Sequence, residues 1–438
     1  MKNEPFYGTP LRQSVDINPL LEHFSRNESG KLVAVLTKIF GAANLDLAED
    51  VVQDALVEAI SQWQIRGIPD NPSAWLFRVA RNKALNIVNR EKYKRQYSAE
   101  ASHLLQSAWT AEPTLDFLFS TTQIQDDQLR MIFTCCHPAI TTDSQISLAL
   151  KTICGLSIAE IARAFLTSEE NISKRLVRAR QKIREQKIPF EVPQGHALGK
   201  RLQTVLDTIY LLFNEGYSAS GGKDLIRYTL CQEAIRLTEI ISAHPLIGDK
   251  DNVFALQALM QLNASRFKAR QDAEGNIYTL EEQNRSLWDF ALMEKGFASL
   301  HKSTTNDQIS VFHILATISA YHCSAPDYQS TNWHSILSLY DKLLLLDSSP
   351  VVQLNRAIAL SKTAGLEKAI SELKKMGDSP LLTSYHLYYS TLASLLMESG
   401  HFEDALPVLQ KAIGLTPLAA EKALLMKKWN ACLAKKGE

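Results

Sequence analysis

Along almost the whole chain, apolar residues recur every three or four positions, the spacing of one face of an α-helix. No set of segments alternates apolar and polar residues, so strands are not expected. An all-α fold follows, in which amphipathic helices bury their stripes on one another. At 438 residues the length allows about three domains.

Three helical blocks are expected, divided by two linkers. The first covers residues 1–95. Within it a helix over Asp46–Trp63 carries the apolar stripe Ala48, Val51, Val52, Ala55, Leu56, Ala59, Ile60 and Trp63. Glu49, Asp50, Gln53, Asp54 and Glu58 line its other side. Gly67, Pro69 and Pro72 break it, and a second helix runs from Ser73 to Tyr93, apolar at its start and basic at its end. Residues 96–125 lack clear patterning and read as a linker with a few apolar anchors. Residues 126–187 form the second helical block, and 188–199, rich in Pro and Gly, the next linker.

The third block, 200–438, is the largest. Near 351–417 it holds two helix–Gly–helix units whose central glycines, Gly365 and Gly400, are 35 residues apart. That spacing is near the period of tetratricopeptide repeats. In the second unit Tyr389, Leu392, Ala393, Leu396, Phe402, Ala405, Leu409, Ala412 and Pro417 fall where such a repeat needs its large, small and stop residues. Stacked units of this kind leave a groove for a partner.

Function begins with charge. The net charge is zero, yet two short segments are strongly basic. Arg78, Arg81, Lys83, Arg90, Lys92, Lys94 and Arg95 face Glu91 alone. Lys174, Arg175, Arg178, Arg180, Lys182, Arg184 and Lys187 face Glu185 alone. Charge by itself fits phosphate-facing surfaces and solvated helix faces equally well.

The second basic segment has more to it. Ser157-Ile158-Ala159-Glu160 has the form of a capping box, and a short helix, IAEIARAF, follows. Leu166-Thr167 makes a turn, and Ser168 caps a second helix with Ile172, Leu176, Ala179 and Ile183 on its apolar face. This is the layout of a helix-turn-helix. Its second helix presents Ser168, Glu169, Glu170, Asn171, Ser173, Lys174, Arg175 and Arg178. Amides and hydroxyls near its start suit base edges, and Lys and Arg suit phosphates. The alternative is an ordinary helical hairpin with charged faces.

Three stretches then resemble, in order and spacing, the extracytoplasmic-function group of bacterial RNA polymerase sigma factors. AEDVVQDALVEAISQW resembles the core-binding helix of region 2. PSAWLFRVARNKALNIVNREKYKR resembles its promoter-melting helix. LSIAEIARAFLTSEENISKRLVRARQKIRE resembles region 4. LDTIYLLFNEGYSASGG, SPVVQLNRAIAL and YHLYYSTLASLL resemble a subgroup with a tetratricopeptide-like extension. The resemblance implies that Glu49, Asp50, Gln53 and Asp54 dock on core polymerase. It implies that Arg78, Asn82, Lys83, Asn86 and Arg90 follow the −10 element, and that the Arg66–Ser73 loop holds a flipped base. It further implies that the helix from Ser168 reads the −35 element. Core RNA polymerase and promoter DNA are the implied partners, with a regulatory protein or ligand at the C-terminal block. Glu170 departs from the family, which often has a small residue there. The competing reading is a core-independent helix-turn-helix regulator with a protein-interaction domain.

The chain has no P-loop, no GxGxxG in a strand–helix context, no HExxH and no GxSxG, so no enzyme and no cofactor are expected. Cys135, Cys136 and His137 adjoin, but without the spacing of a zinc site, so no metal is expected. No apolar run reaches membrane-spanning length and the N-terminus lacks a signal-peptide core, so a cytoplasmic protein is expected. The polar loop Arg266–Trp288 and the tetrad Asn214–Tyr217 are the other candidates. The loop reads as a staple onto its helical domain, and Gly216 as a helix C-cap.

Overall fold

A computed structural model describes residues 24, 28–91, 118–165, 167–218, 226–272, 274–305, 308–377, 382–383, 385–416 and 418–436. The expected Leu166 turn residue, Pro417, the bases at 92–95 and most of the 96–125 linker lie outside the described residues. The described residues are helical, with no strand and one isolated antiparallel bridge, Gln271 to Ile277. Among them no helix is long and apolar enough to cross a membrane. The chain divides into two compact units: Met1–Ile161 with Ser168–Val205, and Ala162–Thr167 with Leu206–Glu438.

The first unit is built on α1 (Ser29–Phe40). Leu32, Val35, Leu36, Ile39 and Phe40 are all buried, so this helix is covered on most sides and serves as a hub. Gly41, at φ 85°, ends it, its N–H donating to Thr37 C=O. A single 3-10 turn, Ala42–Asn44, leads into α2 (Leu45–Arg66). Seven of the eight stripe residues read from the sequence are buried there. Ile60 is not: it is 38% exposed. Gly67, at φ 83°, closes α2 onto Trp63 C=O. Asn71 Oδ1 then accepts the Ala74 N–H, and α3 (Pro72–Glu91) starts on a proline, whose missing N–H costs nothing at that position. Leu76, Ala80, Ala84 and Val88 bury one side of α3. Trp63 meets Trp75 edge-on at 5.4 Å, so Trp75 packs against the core.

The same unit continues with α4 (Thr121–Cys135), α5 (Thr142–Thr152), the first residues of α6 (Ile158–Ala164), and α7 (Glu169–Glu185). α4 begins within the stretch read as linker, and its Leu129, Met131, Ile132, Phe133 and Cys135 are buried. Gln145 braces the α4–α5 corner by donating to the carbonyls of His137 and Ile140, each at 2.8 Å. α1 and α5 touch backbone to backbone. A Cβ on Gly30 would lie 1.9 Å from Ile153 O.

The second unit takes up most of α8 (His196–Tyr217), which starts within the second expected linker. α9 (Tyr228–Ala243) and α10 (Asp251–Ala264) follow. After the short α11 (Phe267–Arg270) and a loop come α12 (Phe290–Lys302), α13 (Val311–Ser324) and α14 (Trp333–Leu346). α10 is largely apolar and buried throughout its middle, the signature of a central helix. Gly296 lets α12 approach it: a Cβ there would meet Leu262 Cγ at 2.7 Å. The expected repeats are α15 (Pro350–Ala364) with α16 (Leu366–Met376), and α17 (His386–Glu398) with α18 (Phe402–Leu415). Gly365 and Gly400 turn the chain at φ 96° and 82°. Tyr389, Leu392, Ala393, Leu396, Ala405, Leu409 and Ala412 form one core, completed by α19 (Ala419–Lys436) through Leu425 and Cys432.

Candidate nucleic-acid interface

The capping box forms as read. Ser157 Oγ accepts the Glu160 N–H at 3.2 Å, and Glu160 Oε2 accepts the Ser157 N–H at 2.8 Å. This fixes the start of α6. Its end is closed by the Thr167 N–H on Ala162 C=O. Ser168 then caps α7, Oγ accepting the Asn171 N–H at 3.2 Å. Ile172, Leu176, Ala179 and Ile183 are buried, which turns the polar side of α7 outward.

That outward face is where the expected reader residues lie. Ser168 and Glu169 are exposed at the helix start. Ser173 Oγ donates to Glu169 C=O at 2.9 Å, so its hydroxyl is engaged with its own helix. Lys174 pairs with Glu170 at 2.7 Å. Arg175 pairs with Asp143, in the first turn of α5, at 3.0 Å. Arg178 is exposed and has no ion-pair partner among the described residues. Asn171, Arg175 and Arg178 share one side of a cleft of about 680 Å³, whose other side is Ala139 to Ser144. A basic cleft wall opposite a helix start can take phosphate oxygens while the amide reaches inward.

On α3, Arg78, Asn82, Asn86 and Arg90 are exposed and repeat every four residues, one stripe along the helix. Lys83 stands beside the stripe, and its ammonium is 3.0 Å from Glu58 on α2. On α2, Asp50, Gln53 and Asp54 are exposed. Glu49 differs. It is half-buried and held by Arg180 of α7, Nη2 to Oε2 at 2.7 Å. Burial raises the Glu49 carboxyl above its ordinary range, and the Arg180 guanidinium draws it back in part.

Sequence reasoning missed the partners in these contacts. Asp46 accepts both Arg180, at 3.1 Å, and Arg184, at 2.6 Å, across 138 residues of chain in the second case. Asp46 looks like an ordinary first-turn carboxylate, and no local signal marks it. Asp143 was missed for the same reason.

The other candidates are structural. Cys135 is fully buried with Thr152 Oγ1 at 3.5 Å, and burial pushes its thiol up to about 12. Arg285 donates to the carbonyls of His322 and Ala325 at 2.8 and 2.7 Å and stacks on Trp288. Arg270 stacks on Tyr217 and donates to its carbonyl. The loop is thus a staple, as read. Gly216 is not a C-cap. It lies inside α8, where a Cβ would meet Cys231 Sγ at 2.7 Å and Arg227 O at 3.0 Å, so the glycine serves helix packing.

Residues 26–94 match the family model of sigma-70 region 2, and residues 130–183 that of sigma-70 region 4. Residues 201–304 match a family of unknown function, DUF6596. An uncharacterized protein of Rhizobium meliloti (strain 1021) is 37% identical over 382 residues, spanning 87% of this chain and 89% of that protein. No solved structure matches the chain.

Proposed function

The chain belongs to the extracytoplasmic-function group of sigma-70 factors that carry a helical C-terminal extension, and on that premise we propose that it binds core RNA polymerase and directs it to promoters. In this reading Asp50, Gln53 and Asp54 present an acidic, exposed face of α2 to a basic docking helix of the polymerase, with the half-buried Glu49 at its edge. Arg78, Asn82, Lys83, Asn86 and Arg90 follow the −10 element as it melts. Melting frees base edges for readout, and the exposed Gly67–Asn71 loop between α2 and α3 stands ready to hold one. Asn171 reads base edges at −35, while Lys174, Arg175 and Arg178 neutralise phosphates and Ser168, Glu169 and Ser173 shape the helix start.

The observation that carries this reading is the order of surfaces along the chain: an acidic α2 face, a basic α3 stripe, then a capped α7 in a helix-turn-helix. The chain performs no reaction of its own; opening of the duplex draws on the polymerase and on contacts to the unpaired strand. The stacked helices of the second unit act as its regulatory half, since their paired-repeat packing offers a surface for a protein or ligand. Run-off transcription with purified core polymerase tests the proposal. Promoter-specific transcripts that depend on the chain are expected. Tight duplex binding by the chain alone, with no transcript, would favour a core-independent regulator instead. A chain ending at Pro193 that transcribes identically to the full chain would remove the regulatory role.

A further inference from the structure

The stapling loop of the second unit holds more hydrogen-bond donors than the staple uses. Arg266 follows α10, Arg285 and Trp288 close the loop, and His322 lies in the last turn of α13. Three contacts bring them together. The Asp289 N–H donates to Ser265 C=O at 2.8 Å, which seats the end of the loop beside Arg266. Cys323 Sγ donates to Leu262 C=O at 3.6 Å, which seats the end of α13 on the end of α10. Arg285 Nη1 donates to His322 C=O at 2.8 Å. Each guanidinium has one edge engaged and another left over. Arg266 Nη2 donates to Tyr217 Oη and Asn263 Oδ1, while Arg266 Nε is buried without a partner. Arg285 Nη1 serves two carbonyls, while Arg285 Nη2 is buried without one. Trp288 Nε1 and His322 Nδ1 are likewise buried with no hydrogen bond among the described residues.

We propose that Arg266, Arg285 and the Trp288 indole form a binding site for a small oxyanion, a carboxylate or phosphate group, with His322 as a fourth contact. The site is built from the α10–α13 segment and not from the paired repeats. It goes beyond the promoter-directing reading and does not rest on it.

Charge argues for an anion rather than for water. Arg266 is 8% exposed and Trp288 4%. Neither Arg266 nor Arg285 has a carboxylate in ion-pair contact among the described residues. Asp327, an exposed carboxylate, acts on Arg285 only from farther off. Arg270 adds a third guanidinium that acts on the same group, stacked on Tyr217 and donating to its carbonyl. Like charges withdrawn from water are costly unless an opposite charge lies among them. Water satisfies unused donors but leaves the charge standing. An oxyanion does both, through charge-assisted bonds.

The unused atoms also set the kind of anion. Each guanidinium offers one unused nitrogen rather than a two-pronged fork, so the ligand needs two or more acceptor oxygens on one centre. Trp288 Nε1 is a donor only, which selects an acceptor there as well. His322 adds no charge. Burial, and then the two guanidiniums, lower its pKa to about 3, so the ring is neutral and donates from Nδ1 in one tautomer. Arg285 and His322 are half-buried, which leaves the cluster reachable from their side.

Titration calorimetry on the full chain tests the site, with inorganic phosphate and succinate as probes at constant chloride and ionic strength. One of the two is expected to bind saturably, with Kd below about 1 mM, and to raise the thermal midpoint. Phosphate binding identifies a phosphate group as the ligand chemistry, and succinate binding a carboxylate. Arg266→Gln should weaken binding roughly tenfold or more. Trp288→Phe keeps the ring and removes only the N–H, and should weaken it roughly threefold to tenfold. Lys268→Gln, a change at an exposed neighbouring cation, should leave binding unchanged. Circular dichroism checks that each variant is folded; if Arg266→Gln is not, Trp288→Phe decides. No saturable binding of either probe overturns the proposal. So does binding that the folded variants leave unchanged, or that Lys268→Gln weakens as much as Arg266→Gln, since the anion would then be held by general surface charge.

Discussion

Arg180 Nη2 stands 2.7 Å from Glu49 Oε2, joining residues 131 positions apart. The pair is buried enough that removing one partner strands the other. Glu49→Ala or Arg180→Ala alone should each lower stability by about 1–3 kcal/mol. In the double variant the losses should not add, leaving a coupling of about 1 kcal/mol. Urea unfolding of the four proteins measures this. Strict additivity would mean that the two side chains are neighbours without being partners.

Gly30 is fixed by the close approach of α1 to α5. A methyl there would lie 1.9 Å from Ile153 O and 2.7 Å from its carbonyl carbon. The obstacle is backbone, which cannot rotate aside, so one helix must shift. Gly30→Ala should cost more than about 2 kcal/mol, read as a lower thermal midpoint. Gly199, within α8, has nothing within 4 Å of its Cβ position. Gly199→Ala should therefore be neutral or stabilise by up to about 1 kcal/mol.

Asp127 gives the first unit a pH dependence. Its side chain is fully buried, with Arg130 at 2.5 Å and Lys38 of α1 at 3.4 Å. Its second oxygen, Oδ2, has no hydrogen-bond partner among the described residues. Burial outweighs both cations and raises the carboxyl from 3.8 to about 6. The folded state thus holds the proton that the unfolded chain gives up first. Stability should fall as pH rises from about 4 to about 6, by at most about 3 kcal/mol from this group. Asp127→Asn keeps the shape and cannot ionise, so urea midpoints of that variant should lose this part of the slope. A slope unchanged by the substitution would assign the pH dependence elsewhere.

Local signals were legible because their partners lie within a turn or two. The Ser157–Glu160 box, the Ser168 cap, the α2 stripe and the turns at Gly365 and Gly400 all formed as expected. Ile60 shows the first limit: periodicity names a face, and only the neighbouring helices decide how far that face is covered. Gly216 shows the second. Glycine near a helix end fits a cap and a close packing point equally well, and the choice was made by α9, which brings Cys231 against it. The third limit is charge. Asp46, Glu49, Arg180 and Arg184 lie on two helices far apart in the chain, and nothing in either helix reveals that tertiary packing sets them face to face. The sigma-70 region 2 and region 4 identities were legible through the ordered motifs, whereas contacts between residues more than a hundred positions apart, such as Arg180 to Glu49, were not.

Arg178 and Asp143 make opposite predictions at the proposed −35 face. Arg178 is exposed, lines the cleft and carries no carboxylate partner among the described residues, so its charge is available to phosphate. Arg178→Ala should weaken duplex binding roughly three- to tenfold and lower the slope of log affinity against log salt by about 1. Asp143 holds Arg175 at 3.0 Å and sets a negative charge in the same cleft. Asp143→Asn should free that guanidinium and remove a repulsion, strengthening duplex binding and steepening the salt slope. Asn171→Ala should do neither, but should flatten the preference among sequences, because an amide discriminates bases and contributes no charge. Titrations of a labelled duplex at several salt concentrations, followed by sequence competition, separate the three. If Asp143→Asn weakened binding instead, the carboxylate would be positioning Arg175 for DNA rather than withholding it.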